Sequence, residues 1–248
     1  MDFNTDFLII FSLIIFISSL VHGTVGFGFP MLATPLLAMV TDMKTAILYI
    51  AIPTLLINLI SIYSEGDFLQ ALKRFFPLAI IGMIGSAIGT QILIYSNSEI
   101  FKLLLALSIF LYLFLQKFKI QMSWVQERKK LSMVVFGLVA GIIGGLTNVM
   151  ASILIIYSLE SKHTKKEIIQ STNLCFLFGK IIQIILLAIH GSFSEDLLIT
   201  SVSSLIIVII SMFIGLKIKN KIPQEIYRKL IKVILFLIAC FLTYQTVI

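Results

Sequence analysis

Long apolar runs recur along the whole chain, most of them 16 to 24 residues in length, with short charged stretches between them. A helix needs about 20 apolar residues to cross the roughly 30 Å hydrocarbon core of a bilayer. Only 12% of the residues are charged and 59% are hydrophobic, whereas a soluble domain has about 25% charged residues. These runs are too long and too uniformly apolar for barrel strands. We therefore predict an all-α polytopic membrane protein without a soluble domain.

Ten apolar segments can be delimited, and two of them are too short to cross a bilayer. A dozen helical residues extend only about 18 Å. The short ones are 29–41 and 148–159. The full set is 7–22, 29–41, 45–63, 75–95, 99–116, 131–146, 148–159, 167–190, 196–216 and 226–247.

The distribution of positive charge predicts how these segments are arranged. Of the 19 Lys and Arg residues, 16 lie in four loops, at 64–75, 116–130, 160–166 and 217–232. All four loops fall on one side only if each short segment forms a hairpin with the segment before it. The positive-inside rule then puts both termini outside a cell (inner or plasma) membrane. Whether the hairpin arms span the bilayer or are re-entrant stays open. The net charge of +7 is explained by these loops, without a nucleic-acid partner.

The two halves of the sequence resemble each other. Residues 89–104 align without a gap with 215–230, and Gly23 aligns with Gly141 at a slightly different offset. Each half would contain a hairpin and three crossings, so the second half would enter the membrane upside down. Such inverted-topology repeats are typical of secondary transporters. The predicted division is 1–120 for the first transmembrane repeat, 121–130 for a basic cytoplasmic linker and 131–248 for the second repeat.

Lys180 lies near the middle of an apolar segment, and no Asp or Glu lies in the middle of any segment. A cation near the bilayer centre costs a few kcal/mol, so its ammonium group should face a partner or a wet cavity. Snorkelling to an interface is the alternative. Without a carboxylate partner, we predict that Lys180 faces an anionic substrate.

Polar side chains accompany Lys180 on one helix face and recur in the first half of the chain. Asn173 and Gln183 share the face of Lys180. Thr54, Asn58 and Ser61 form a similar stripe, with Asn58 aligned to Lys180 at an offset near 122. These residues are candidate substrate ligands, or they form hydrogen bonds that join membrane helices.

Glycines in the stretch 23–30 break an apolar run, and the next segment, 29–41, has Pro30 near its first turn, where proline favours the start of a helix. Free N–H groups at such a helix start attract anions. Gly26 and Gly28 are therefore candidate substrate ligands, and Thr147 and Asn148 are candidate helix caps or ligands in the second half. The glycine spacing does not match a nucleotide-binding loop, and tight packing is the structural alternative. His22 is interpreted either as a structural hydrogen bonder or as a proton carrier.

Three stretches carry a resemblance to a known family: HGTVGFGFPMLATPLL at 22–37, AGIIGGLTNVMASILI at 140–155, and GSAIGTQI followed by EIFKLLLALSI at 85–92 and 99–109. In these the chain resembles the sulfite exporter TauE/SafE family of bacterial and archaeal permeases. The resemblance implies export or uptake of small organic or sulfur-containing anions such as sulfite and sulfoacetate.

The predicted function is a secondary transporter of small anions that exposes a mid-membrane site to each side alternately. The alternatives are an anion channel or a membrane subunit that does not transport. An intramembrane enzyme is disfavoured because no credible nucleophile and base pair occurs in the sequence. No cofactor and no metal site is predicted. The expected partners are a small anion and the lipid bilayer, and the oligomeric state stays open, with a homodimer as one option.

Overall fold

The computed structural model describes residues 5–96, 99–118, 122–219, 232–233, 236–237 and 239–244. Regular structure among these residues is entirely helical. The helices are α1 (Thr5–Val25), α2 (Phe29–Ala38), α3 (Met43–Tyr49), α4 (Ala51–Ser64), α5 (Phe68–Tyr95), α6 (Glu99–Phe118), α7 (Ser123–Glu127), α8 (Lys129–Thr147), α9 (Ala151–Glu160), α10 (Lys165–Ile189) and α11 (Glu195–Ile218).

Five of these helices are long and apolar enough to cross a membrane: α1, α5, α8, α10 and α11. The pair α3 and α4 makes a sixth candidate if it is counted as one bent span. Helices α2 and α9 have 10 residues each, and both are apolar and short. The prediction of a polytopic all-α membrane protein is confirmed. Within the predicted last segment, the described residues are helical.

The bend of 49° between α3 and α4 has its origin in Pro53. Proline has no N–H, so the carbonyl four residues earlier, at Tyr49, loses its helical donor. The hydroxyl of Ser201 on α11 donates to Tyr49 O over 2.8 Å instead. The chain bends at Ile50, three residues before the proline, and α11 stabilises the bend.

Glycines bring two pairs of long helices into backbone contact. A Cβ atom added to Gly85 on α5 would lie 2.4 Å from Leu138 O on α8, and one added to Gly141 would lie 2.2 Å from Gly82 O. The pairing of α1 with α11 is of the same kind, because a Cβ on Gly23 would lie 2.6 Å from Met212 O. Each hairpin therefore packs its long arm against a helix of the other predicted repeat. The inverted repeat and its boundaries stay a prediction.

Polar contacts join the ends of α4, α10 and α11. Lys166 forms an ion pair with Asp67 at 2.7 Å, and the amide of Gln170 donates to Gly66 O over 2.7 Å. The hydrogen bond and charge of Lys166 hold the pKa of the Asp67 carboxyl below its usual value. Lys219, just after α11, forms an ion pair with Glu65, which lies in the same loop after α4 as Gly66 and Asp67. This is the end that the charge distribution predicts to be cytoplasmic.

Candidate functional site

The first hairpin turns at residues 26–28, here called the first tip. Gly26 and Gly28 have φ values of +94° and +114°, a region that side chains rarely adopt. At Gly26 a Cβ atom would also lie 2.6 Å from the Ile169 side chain. Gly28 is the N-cap of α2, and Pro30 follows in the first turn of the helix. The predicted helix start, with Pro30 in its first turn, is thus confirmed.

His22 joins the first tip to α4. Its Nδ1 atom accepts a hydrogen bond from Phe29 N over 3.1 Å, and its Nε2 atom lies 2.8 Å from Ser61 Oγ. Because Nδ1 accepts, the proton of the neutral ring is on Nε2, which donates to the serine hydroxyl. A second proton on Nδ1 would break the bond to Phe29 N. His22 is 1% exposed and has a clear structural role at the start of α2.

Asn173 fastens α10 to the first tip. Its Nδ2 atom donates to Gly26 O and to Ile169 O, each over 2.7 Å. The first tip is therefore held by α4 through Ser61 and by α10 through Asn173.

The second hairpin turns at residues 148–150, the second tip. Asn148 ends α8 in the left-handed conformation, with φ of +62°, and its N–H donates to Gly144 O over 2.9 Å. Asparagine is among the few non-glycine residues that tolerate this region. The Thr147 hydroxyl donates to Ile143 O and accepts from Val149 N. Both predicted ligands of the second half thus act as backbone caps, and the Asn148 side chain remains available for other contacts.

Lys180 reaches the second tip from α10. Its Nζ atom donates to Asn148 Oδ1 over 2.6 Å and to Gln183 Oε1. The amide groups of these partners are held in turn, since Asn148 Nδ2 donates to Thr34 Oγ1 over 3.0 Å and Gln183 Nε2 donates to Gly145 O over 2.9 Å.

The charge of Lys180 has no counter-charge in the described part of the chain. The residue is 3% exposed, and both of its hydrogen-bond partners are neutral amides. An ammonium group has three N–H donors, so two are used and one is left for a ligand. A buried cation without a carboxylate partner is an attractive site for an anion.

The α4 stripe divides into residues with different environments. Thr54 Oγ1 donates to Ile50 O of its own helix over 2.6 Å, which is an ordinary structural contact. Ser61 binds His22. Asn58 is fully buried, and neither Nδ2 nor Oδ1 has a hydrogen-bond partner among the described residues.

The predicted site residues therefore fall into two connected groups and two separate residues. The first tip gathers His22, Gly26, Gly28, Ser61 and Asn173, and the second gathers Thr147, Asn148, Lys180 and Gln183. Among the described residues, Asn58 and Thr54 form no hydrogen bond to either group.

Sequence reasoning missed Thr34 and Ser86. Thr34 on α2 bonds Asn148, and Ser86 Oγ donates to Gly179 O over 2.9 Å. Thr34 is the one hydroxyl residue in the apolar segment FPMLATPLLA, which could have marked it. Ser86 lies between Gly85 and Gly89, and no pattern in that stretch indicated a polar contact.

A sequence model of the family described as sulfite exporter TauE/SafE matches residues 11–242. The chain belongs to this family. No curated protein and no solved structure matches the chain. Membership implies a multi-pass membrane transporter of sulfite or related anions, as the resemblance in the three glycine-containing stretches predicts. A transporter family is also consistent with the prediction that the chain is not an enzyme.

Proposed function

We propose that this protein is a secondary transporter that binds sulfite, an organosulfur anion or a related organic anion between the two hairpin tips. The observation that carries the proposal is the buried ammonium group of Lys180, which is held in place by two neutral amides. A pre-oriented cation without a carboxylate partner stabilises a bound anion.

The starts of the two short helices add to this attraction. Helix α2 begins at the first tip and α9 begins after the second tip. The first N–H groups of a helix have no partner within it, and the helix dipole makes this end positive. The N–H of Phe29 already donates to His22, Pro30 has no N–H, and the N–H of Val149 already donates to Thr147. The backbone donors left for the anion would thus be those of Gly28 and Met31 at the first tip and of the residues after Val149 at the second. We propose a role in binding the anion for all four predicted tip residues: Gly26, Gly28, Thr147 and Asn148.

Alternating access is the mechanism that we propose for transport. Helix α10 contacts the first tip through Asn173 and the second tip through Lys180, so a movement of α10 against α4 would change both tips together. Across a membrane that is negative inside, export of one negative charge gains about 2.3 kcal/mol per 100 mV. Export through a cell membrane, with both termini outside, would thus need no coupling ion.

Anion flux in proteoliposomes tests the proposal. We expect sulfite efflux from vesicles containing the native protein, accelerated by an inside-negative voltage. Lys180→Ala should reduce the flux at least about tenfold, while Lys130→Ala should not, because Lys130 is exposed at the start of α8. Equal flux for the native protein and Lys180→Ala would overturn the role of this lysine. Currents at channel-like rates would favour a channel instead of a carrier.

A further inference from the structure

Asn58 is the most incompletely paired side chain in the described interior. It is 0% exposed, and both Nδ2 and Oδ1 lack a hydrogen-bond partner among the described residues. Several buried hydroxyls, such as that of Thr172, also lack one. A hydroxyl can rotate toward a partner, but the amide of Asn58 holds its NH₂ donor and its oxygen acceptor at two fixed positions. Exchanging the nitrogen and the oxygen between these positions would still leave both atoms unpaired. Leaving a buried polar group unpaired costs about 1–3 kcal/mol, which points to a ligand.

The position of Asn58 connects it to the first tip. Ser61 lies three residues further along α4, on the same face, and binds His22. His22 in turn holds Phe29 N at the start of α2. Beside that start there is room for a ligand, because Gly28 is buried and, apart from its chain neighbours, no atom of the described residues lies within 4 Å of the place where its Cβ would be.

The position of Asn58 along the helix axis places it between the two tips. Helices α4 and α10 pack against each other. They run in opposite directions, since Gln170 near the start of α10 bonds Gly66 just after the end of α4. Ser61 bonds His22, and Asn173 bonds Gly26, whose N–H donates to His22 O, so Ser61 and Asn173 lie at a similar level. With equal rise per residue, Asn58 then lies at a level between Asn173 and Lys180.

We infer that the transported anion is singly charged and carries an O–H or N–H group, which donates to Asn58 Oδ1 while the charged end faces Lys180. The inference rests on the proposed function and names its substrate class. A fully deprotonated oxyanion offers only acceptors, so it would pair the Asn58 amide donor and leave the Asn58 acceptor unpaired. A dianion would exceed the charge of Lys180, the one buried Lys or Arg among the described residues.

A cation is the other charged ligand that could pair with an amide oxygen, and the charges disfavour it. Lys180 would repel it, and no group of three His, Cys, Asp or Glu side chains capable of holding a metal ion occurs among the described residues. An anion with a donor satisfies the amide acceptor and the ammonium group together.

Three sulfonates of fixed charge test the inference. Isethionate is a monoanion with a hydroxyl, propanesulfonate has a methyl in its place, and ethanedisulfonate is a dianion. We expect the native protein in liposomes to bind isethionate about tenfold more tightly than propanesulfonate, the effect of one hydrogen bond. Ethanedisulfonate should bind more weakly than isethionate. Inhibition of sulfite flux by each compound gives the affinities.

Two variants show whether Asn58 causes the difference. Asn58→Leu should remove the preference for isethionate over propanesulfonate. Ser211→Ala should keep it, because the Ser211 hydroxyl donates only within α11. Equal affinities in the native protein would overturn the inference even if Asn58→Leu did not fold. So would the absence of inhibition by all three compounds while sulfite flux depends on Lys180, and in both cases the proposed function would stand. Failure of the native protein to move sulfite or any of the three sulfonates would instead contradict the proposed function.

Discussion

The Nζ atom of Lys180 lies 2.6 Å from Oδ1 of Asn148, in a contact that links the middle of α10 to the second tip. The ammonium group only donates hydrogen bonds, so the amide of Asn148 must turn its oxygen toward Lys180. Its nitrogen then faces α2 and donates to Thr34. Asn148, whose backbone is in the left-handed conformation, thus fixes the position of the Lys180 ammonium group and joins the two hairpins through its side chain.

Replacing Asn148 by aspartate tests whether the positive charge itself is needed. Aspartate tolerates a positive φ nearly as well as asparagine, so the turn should form. Its carboxylate would lie within ion-pair distance of Lys180 and neutralise the charge that we assign to the substrate. We expect sulfite flux of Asn148→Asp to fall at least about tenfold, with a normal yield of folded protein.

Asn148→Gly is the matched control for this change. Glycine keeps the backbone conformation and adds no charge, although the bond to Lys180 is lost. Its flux should lie between those of the native protein and Asn148→Asp. Native flux in Asn148→Asp would show that the ammonium charge is not what holds the anion.

Asn58→Leu should raise the stability of the protein and lower its transport activity. The leucine side chain is similar in size and removes two unpaired polar atoms from the interior, so we expect a gain of about 1 kcal/mol or more in stability. The apparent Tm in detergent should rise by a few degrees while flux of a substrate with a hydroxyl falls. Thr54→Val serves as the comparison, since Thr54 already bonds its own helix. A lower Tm in Asn58→Leu would indicate that the amide stabilises the fold.

Hydropathy and charge predicted the hairpins, the short helices and the mid-membrane lysine, because these follow from the length and composition of each segment. The break at the first tip and the start of α2 beside Pro30 followed from the conformations of glycine and proline. The contact of Lys180 with Asn148 did not follow, because it depends on how α8 and α10 rotate about their axes. Gln183, three residues further along α10, was predicted on the face of Lys180 and contacts it. Asn148 was predicted as a cap or ligand, and no pattern indicated that its side chain also contacts Thr34 on α2.

Alignment of the two halves also left the register of helix packing undetermined. In sequence, Gly215 aligns with Gly89. If the two halves packed alike, Gly141, which aligns with Gly23, would approach Gly89. In the structure Gly215 approaches Gly23, but Gly141 approaches Gly85, which lies one turn before Gly89. A shift of one helical turn keeps the same face in contact, so apolar periodicity cannot detect it. Only the backbone contacts distinguish the two registers.

Two glycines on α5 give a direct test of this packing. An added Cβ at Gly85 would lie 2.4 Å from the backbone of α8, whereas at Gly82 the nearest atoms are 3.8 Å away. Gly85→Ala must separate the helices and should cost about 1–3 kcal/mol of stability. Gly82→Ala should be neutral or stabilising, because alanine favours a helix by about 0.5–1 kcal/mol. Thermal unfolding in detergent measures both, and equal effects would contradict this register.

His163, in the loop between α9 and α10, should make the fold sensitive to acid. Its ring lies against those of Phe75 and Tyr157, with centroids 5.5 and 6.0 Å away. Burial lowers the pKa of His163 below its usual value, helped by the charge of Arg74 and opposed by that of Glu167. The folded protein therefore favours the neutral ring, and the unfolded chain takes up a proton first as the pH falls.

The stability that this residue contributes is thus complete above about pH 6.5, the usual pKa of histidine, and is lost as the pH falls toward the lowered pKa of the folded state. His163→Phe keeps the ring contacts and removes the titration. We expect the Tm of the native protein to fall more than that of His163→Phe between about pH 7.5 and pH 5. Parallel pH profiles for the two proteins would show that the imidazole stays solvated. Because His163 lies at the end of the helix bundle that carries the ion pair of Lys166 with Asp67, the comparison should be made at constant salt.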